Sequence, residues 1–261
     1  MAESYQVLPG YKRFNQKNNG LMRAVWDPAL KSCGEREDRS IRRYLEEGTP
    51  GFDRRDWALD LAAATAVSSF GSGINKANSG FTAWESLNVK YTRAVPQGVG
   101  RFDASDPART RRTMEKVARF LGADLVGFTA LDPRWVYSHH YTPWNKENDN
   151  PPVEIPEGCG QVVVLGVGMN YEMFRTAPSA VMMSETHRNY SQMAILAASL
   201  AQFIRTLGYR AIPSLNDTAL NVPLAVDAGL AQPSRMGIAV TPEFGPRVRF
   251  CKVFTDLPLG G

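Results

Sequence analysis

The sequence predicts an α+β fold. Three observations carry that prediction. Segments with helical and strand periodicity alternate from residue 106 onward, and the last apolar segments read as strand, turn and strand rather than as a parallel crossover. The composition, 43% apolar and 21% charged over 261 residues, suits a globular chain of one large or two modest domains. We divide it at the onset of clear periodicity, into an N-terminal arm and helical unit over 1–105 and a core over 106–261.

Residues 1–50 are polar and carry the turn pairs Pro9-Gly10 and Asn19-Gly20, so they are expected to form an irregular arm wrapped over the rest. "FDRRDWALDLAAATAVSS" predicts an amphipathic helix with Trp57 and Leu61 on one face, followed by the Gly/Asn-rich "GSGINKANSG". In "DPARTRRTMEKVARFLGA", Met114, Val117 and Leu121 recur at helical spacing and Gly122 marks the stop. "DLVGFTAL" and "GQVVVLGVGM" read as strands, the second buried on both faces, with a polar and aromatic loop between them. "ETHRNYSQMAILAASLAQFIRTLGY" carries the strongest helical signal. Tyr190, Met193, Ala197, Leu200 and Ile204 form its stripe, and Gly208 stands where a helix-ending glycine belongs. "YRAIP" then predicts a short strand, 217–230 a short helix interrupted by Pro223, and "MGIAVTPEFGPRVRFCKVF" a hairpin.

Several functions are excluded by what these segments lack. There is no GxGxxG, Walker loop, GxSxG elbow or HExxH. The glycines of "VLGVGMNY", Gly166 and Gly168, read as close packing on a strand. A net charge of +4 with no dense basic block gives no sign of nucleic acid. Cys33, Cys159 and Cys251 have neither zinc nor disulfide spacing, and the adjacent His139 and His140 point different ways in any regular element, so no metal site is expected. Three polar residues remain as candidates: Tyr190 in the helix stripe, Asn216 at a strand-to-helix turn and Arg249 inside a strand. Each also has a plain structural reading, as a core tyrosine, an N-cap and an outward residue of an edge strand.

The stretches "ARFLGADLVGFTALDPRWVYS", "NYSQMA", "FIRTLGYRAIPSLNDTALNVPLAVDAGL" and "TPEFGPRVRFCKVFTDLPL" together resemble the catalytic subunit of the corrinoid-dependent reductive dehalogenases. The resemblance runs from about 110 to 259, is weaker over 50–110, and says little of the first 50 residues. It implies a nitroreductase-like α+β core, a mixed sheet flanked by helices, that binds cobalamin. It also implies two ferredoxin-type [4Fe–4S] clusters in a following segment. No CxxCxxCxxxCP run is present, so the clusters are expected beyond the C-terminal end of this sequence, which would then be a piece of a longer chain. Cys251 reads as a buried strand residue.

By motif position the resemblance places the family's cavity-lining tyrosine, asparagine and arginine on Tyr190, Asn216 and Arg249. The implied reaction exchanges carbon–halogen for carbon–hydrogen with two electrons and a proton. The corrinoid supplies electrons, which no side chain can, and Tyr190 the proton. Arg249 would stabilise the phenolate, which eases proton release, and Asn216 would position hydroxyl or substrate while Asp217 or Thr218 caps the next helix. Trp84, Trp135, Tyr137 and Trp144 are candidate cavity aromatics. The implied partners are an organohalide, an upstream electron donor and a small membrane anchor protein holding the enzyme on the outer face of the cytoplasmic membrane. No export signal is visible, so a cytoplasmic location is the alternative. Competing readings are an epoxyqueuosine-reductase-like cobalamin enzyme, a non-catalytic cobalamin-binding module and a flavin-binding nitroreductase relative.

Overall fold

A computed structural model describes residues 5–69, 99–141 and 150–260. The arm is extended only to about residue 14. Beyond it lie α1 (Gly20–Trp26) and α2 (Pro28–Glu46), where an irregular chain was expected. The reason is local: Asn19 caps α1, and Asp27 caps α2 with Pro28 at its first position, where no amide donor is needed. The extended part is pinned by Arg13, whose guanidinium donates to the carbonyls of Val136, Tyr137 and Val153.

Next come α3 (Arg54–Ala63), with a capping box between Asp53 and Asp56, and α4 (Thr65–Ser69). Leu61 is 71% exposed, so Trp57 and Leu61 do not share a buried face. Instead α3 buries Asp60, which meets His187 at 2.6 Å, and Ser191 donates to the Ala63 carbonyl. After the described residues resume, α5 (Pro107–Phe120) starts at the Asp106 cap and buries Thr110, Met114 and Ala118. It leads into β1 (Leu125–Ala130) and β2 (Gln161–Gly168). Short α6 (Tyr171–Phe174) precedes the long α7 (Ala180–Thr206), which begins at a Ser179 cap. Gly208, at φ 93°, follows α7 in the left-handed conformation its position predicts. Then follow β3 (Ala211–Ser214), α8 (Asn221–Asp227), β4 (Gln232–Pro233), β5 (Ala239–Val240) and β6 (Val248–Thr255).

The main sheet has the order β1-β2-β6-β3. All its pairings are antiparallel among the described residues, where a mixed sheet was expected. The closing hairpin does not form either: β5 pairs back to β4, and β6 enters the middle of the sheet between β2 and β3. Burial explains it, because six consecutive residues of β6, Phe250 to Thr255, are buried and only a central strand covers both faces.

Alternation along the strands builds two cores. Val163, Leu165, Val167, Cys251 and Val253 face α5 and α7, packing on Met193, Leu200 and Ile204. Val162, Val164, Phe250 and Phe254 face Trp135, Tyr137 and Leu224. Gly166 and Gly168 fit the packing reading, since a Cβ on Gly168 would lie 2.6 Å from the Phe244 ring.

Candidate active site

Three elements meet near the end of β3. The helix α7 presents Tyr190 one turn after Thr186, and β6 presents Arg249 on the same face as Cys251 and Val253. The turn after β3 presents Asn216, whose side chain is exposed. Asn216 Nδ2 lies 2.6 Å from the Tyr190 hydroxyl oxygen, and Arg249 Nη1 donates to that oxygen at 3.0 Å. The structure thus brings together all three residues singled out in the sequence. The Arg249 guanidinium also lies over the Tyr190 ring, 4.8 Å from its centroid, and its second nitrogen donates to Thr186 Oγ1 at 3.3 Å. None of these bonds goes to a carboxylate, and Arg249 Nε is buried without a partner. The positive charge therefore remains available to a phenolate forming beside it.

The Asn216 turn is held by the adjacent residues Val136 and Tyr137. Val136 bridges Ala219, and the Tyr137 amide donates to the Thr218 carbonyl. Thr218 sits at φ 66°, a region β-branched residues rarely occupy, so these contacts hold the turn against backbone strain. Neither Asn216, Asp217 nor Thr218 caps α8. The N-cap is Leu220, without a side-chain cap, because the Asp217 carboxylate is engaged inside the turn by the Leu215 amide and Ser214.

Two residues here were missed by sequence reasoning. Lys252 is wholly buried, and Nζ lies 2.7, 2.9 and 2.9 Å from the carbonyls of Leu215, Asp217 and Ala219, so that with the contact that follows its three protons are shared among four oxygens. Its fourth contact, at 2.8 Å, is Asn221 Oδ1, and Asn221 Nδ2 in turn donates to Asn216 Oδ1 at 2.8 Å. Burial draws the Lys252 ammonium down to about 8, against the pull of Asp217. A lone lysine in the apolar run "RFCKVFT" was the available signal: alternation places it on a core face, where a charge needs a dedicated shell.

The other candidates separate. Trp135 and Tyr137 are core residues, with Trp135 donating to Asp227, while Trp84 and Trp144 lie outside the described residues. Burial pushes the Tyr137 hydroxyl up to about 12, with Asp217 adding to the effect, so it is a poor proton source. Burial does the same to Cys251, also to about 12, which keeps it a thiol in the core as expected. No cluster of three or more metal-ligating His, Cys, Asp or Glu side chains occurs among the described residues.

The family described as reductive dehalogenase subunit matches residues 149–259. The tetrachloroethene reductive dehalogenase of Sulfurospirillum multivorans is 39% identical, with 80% of this chain and 46% of the relative covered. Residues 149–259 belong to the reductive dehalogenase family. A tetrachloroethene reductive dehalogenase of Desulfitobacterium hafniense is 33% identical over 69% of this chain and 38% of its own length. The catabolic reductive dehalogenase NpRdhA matches with a TM-score of 0.68 at 23% identity, covering 96% of this chain and 31% of that one, which supports the α+β fold of the dehalogenase core. A second reductive dehalogenase structure matches at 0.53 and 28% identity, over 65% of this chain and 24% of the other. The chain thus spans less than half the length of the curated relatives named here.

Proposed function

We propose that this chain forms the substrate-side part of an enzyme that reductively removes halogen from an organohalide. The observation that carries the reading is the Tyr190 hydroxyl held between Asn216 and Arg249. The relatives named as tetrachloroethene reductive dehalogenases favour a small chloroalkene as substrate.

The cofactor of this reading is a corrinoid, which when bound supplies the low-potential electrons. The donor set suits it. A corrin ring brings four nitrogen ligands of its own, and the described residues offer hydroxyl, amide and guanidinium groups rather than a ligand cluster. Tyr190, Asn216 and Arg249 would face it from the substrate side. Tyr190 holds the proton at its oxygen and releases it toward the carbon losing halide. Arg249 stabilises the phenolate left behind, and Asn216 fixes the phenol oxygen. Two [4Fe–4S] clusters, in the part of the relatives this chain does not span, would relay electrons from an upstream donor.

By the same reading the enzyme works on the outer face of the cytoplasmic membrane, attached through a separate anchor protein. No described helix is long and apolar enough to cross a membrane. The test is Tyr190→Phe in the full-length, cofactor-loaded protein. Halide release should fall by about 10²- to 10⁴-fold, the scale of a general acid, with corrinoid content unchanged. Full activity would remove Tyr190 from the mechanism.

A further inference from the structure

Lys252 never reaches Tyr190, yet a continuous chain of hydrogen bonds joins them. It runs from Lys252 Nζ to Asn221 Oδ1 at 2.8 Å, from Asn221 Nδ2 to Asn216 Oδ1 at 2.8 Å, and from Asn216 Nδ2 to the Tyr190 oxygen at 2.6 Å. An amide can be turned end for end in many sites, but not in this one. An ammonium can only donate, so the Asn221 atom beside Lys252 must be its oxygen. The Asn221 nitrogen is thereby turned toward acceptors, its two protons shared among the carbonyls of Leu215 and Phe250, at 3.0 and 2.8 Å, and Asn216 Oδ1. That contact fixes Asn216 in turn, with its nitrogen toward Tyr190. Arg249, which also only donates, occupies a second position on the phenol oxygen at 3.0 Å.

We propose that Lys252 is a positioning residue for proton transfer: acting through Asn221 and Asn216, its ammonium makes the Tyr190 oxygen an acceptor on both sides and so directs the hydroxyl proton away from the protein, toward the substrate. The inference rests on the reading of Tyr190 as the proton donor. If either amide were reversed, Asn216 would offer its oxygen to Tyr190. The hydroxyl would then spend its proton on Asn216, where it is lost to the reaction.

Burial makes the constraint firm. Lys252 is fully buried, and its other three contacts are backbone carbonyls, which cannot exchange donor for acceptor. The lysine also anchors the turn, so a loss of activity alone would not separate direction of the proton from support of the loop. The readout must report the hydrogen-bond state of one phenol.

The tyrosine Fermi doublet in the ultraviolet resonance Raman spectrum does so, since its intensity ratio is high when the phenol oxygen accepts and low when the hydroxyl donates. Tyr190 is isolated by subtracting the spectrum of Tyr190→Phe, all in the full-length protein carrying its cofactors. The unaltered protein should give an acceptor-type ratio. Asn216→Asp, an exposed change that leaves only acceptor oxygens, should invert it. Asn221→Ala cuts the chain while Lys252 keeps its three carbonyls, and should move the ratio toward the donor side with kcat reduced at least tenfold and KM within about twofold. Lys252→Met should do the same if it folds. An acceptor-type ratio unchanged in Asn221→Ala would overturn the proposal, and that variant does not depend on the folding of Lys252→Met. Full turnover in Tyr190→Phe would defeat the proton-donor reading, whereas the Raman ratio judges the relay separately.

Discussion

Replacing Arg249 by lysine separates two ways in which a cation beside a tyrosine could help the reaction. The guanidinium donates from two nitrogens at once, to the Tyr190 oxygen at 3.0 Å and to Thr186 Oγ1 at 3.3 Å. A lysine ammonium is a single point on a flexible stem and cannot reproduce that fork. If the lost contact is a hydrogen bond to a charged group, about 1.5–3 kcal/mol of stabilisation of the phenolate-like transition state disappears. At about 1.4 kcal/mol per factor of ten, halide release should fall roughly 10- to 150-fold. Tyr190→Phe alone should cost about 10²- to 10⁴-fold. The informative protein is the double variant. If Arg249 acts only through the Tyr190 oxygen, Arg249→Lys added to Tyr190→Phe costs nothing further, and the coupling between the two equals the whole effect of the single Arg249→Lys change. The assay is halide release in the full-length protein with an artificial low-potential reductant, at matched corrinoid content. Losses that multiply would refute the reasoning, because Arg249 would then be acting on the substrate or on a distant part of the site.

Three further outcomes test the framework that holds the cluster. Leu200 is fully buried between α7 and the sheet, so Leu200→Ala should lower unfolding stability by about 2.7–5 kcal/mol, read from the denaturation midpoint at unchanged slope; a loss under about 1 kcal/mol would mean the core is misassigned. Glu185 is buried, which alone would raise its carboxyl, but Arg188, the Asn170 amide and Asn189 more than reverse that and hold it below the usual range. The unfolded chain therefore takes up the proton first, and the stability Glu185 contributes is lost as pH falls below about 4.5. Glu185→Gln should flatten that limb of the stability–pH curve, and an identical limb would exclude the carboxylate as its source. Lys252 has the opposite charge but is also depressed, to about 8 from 10.5, by burial. Between those values the unfolded chain keeps a proton that the folded one has released, so the Lys252 contribution improves as pH rises through the window and is lost as pH falls through about 8. The difference in stability between the parent and Lys252→Met should slope accordingly, and a slope of the other sign would show that the carbonyl shell outweighs burial.

The elements whose information is local were legible in the sequence. The α5 helix through Met114 and Val117, the stripe from Tyr190 to Ile204 and the glycine stops at Gly122 and Gly208 all appear where periodicity and capping chemistry put them. The errors lie where a long-range partner decides. Nothing in "MGIAVTPEFGPRVRFCKVF" reveals that its second strand is claimed on both edges by β2 and β3, which is what denies it the hairpin. Nothing in "SLNDTAL" reveals that Asp217 is occupied inside its own turn and cannot cap α8. The site divides the same way. Tyr190, Asn216 and Arg249 could be named because they fall in motifs, whereas Lys252 and Asn221 act through contacts that exist only once β6 is central.

The placement of those two cations follows from one strand. Arg249 and Lys252 are three positions apart on β6, and alternation sends them to opposite faces, Arg249 toward α7 and Lys252 toward the core under α8. They can serve one phenol only because β3 is short. Its last paired residue is Ser214, opposite Lys252, so among the described residues the edge of β6 before that point has no strand beside it. The 215–221 turn crosses there, Asn221 supplies the donor that the Phe250 carbonyl would otherwise take from a neighbouring strand, and the turn carries contact from one face of the sheet to the other. A longer β3 would seal that edge and separate the two charges by the full thickness of the sheet. The early end of β3 is therefore what lets a buried lysine on one side and a half-buried arginine on the other converge on the oxygen of Tyr190.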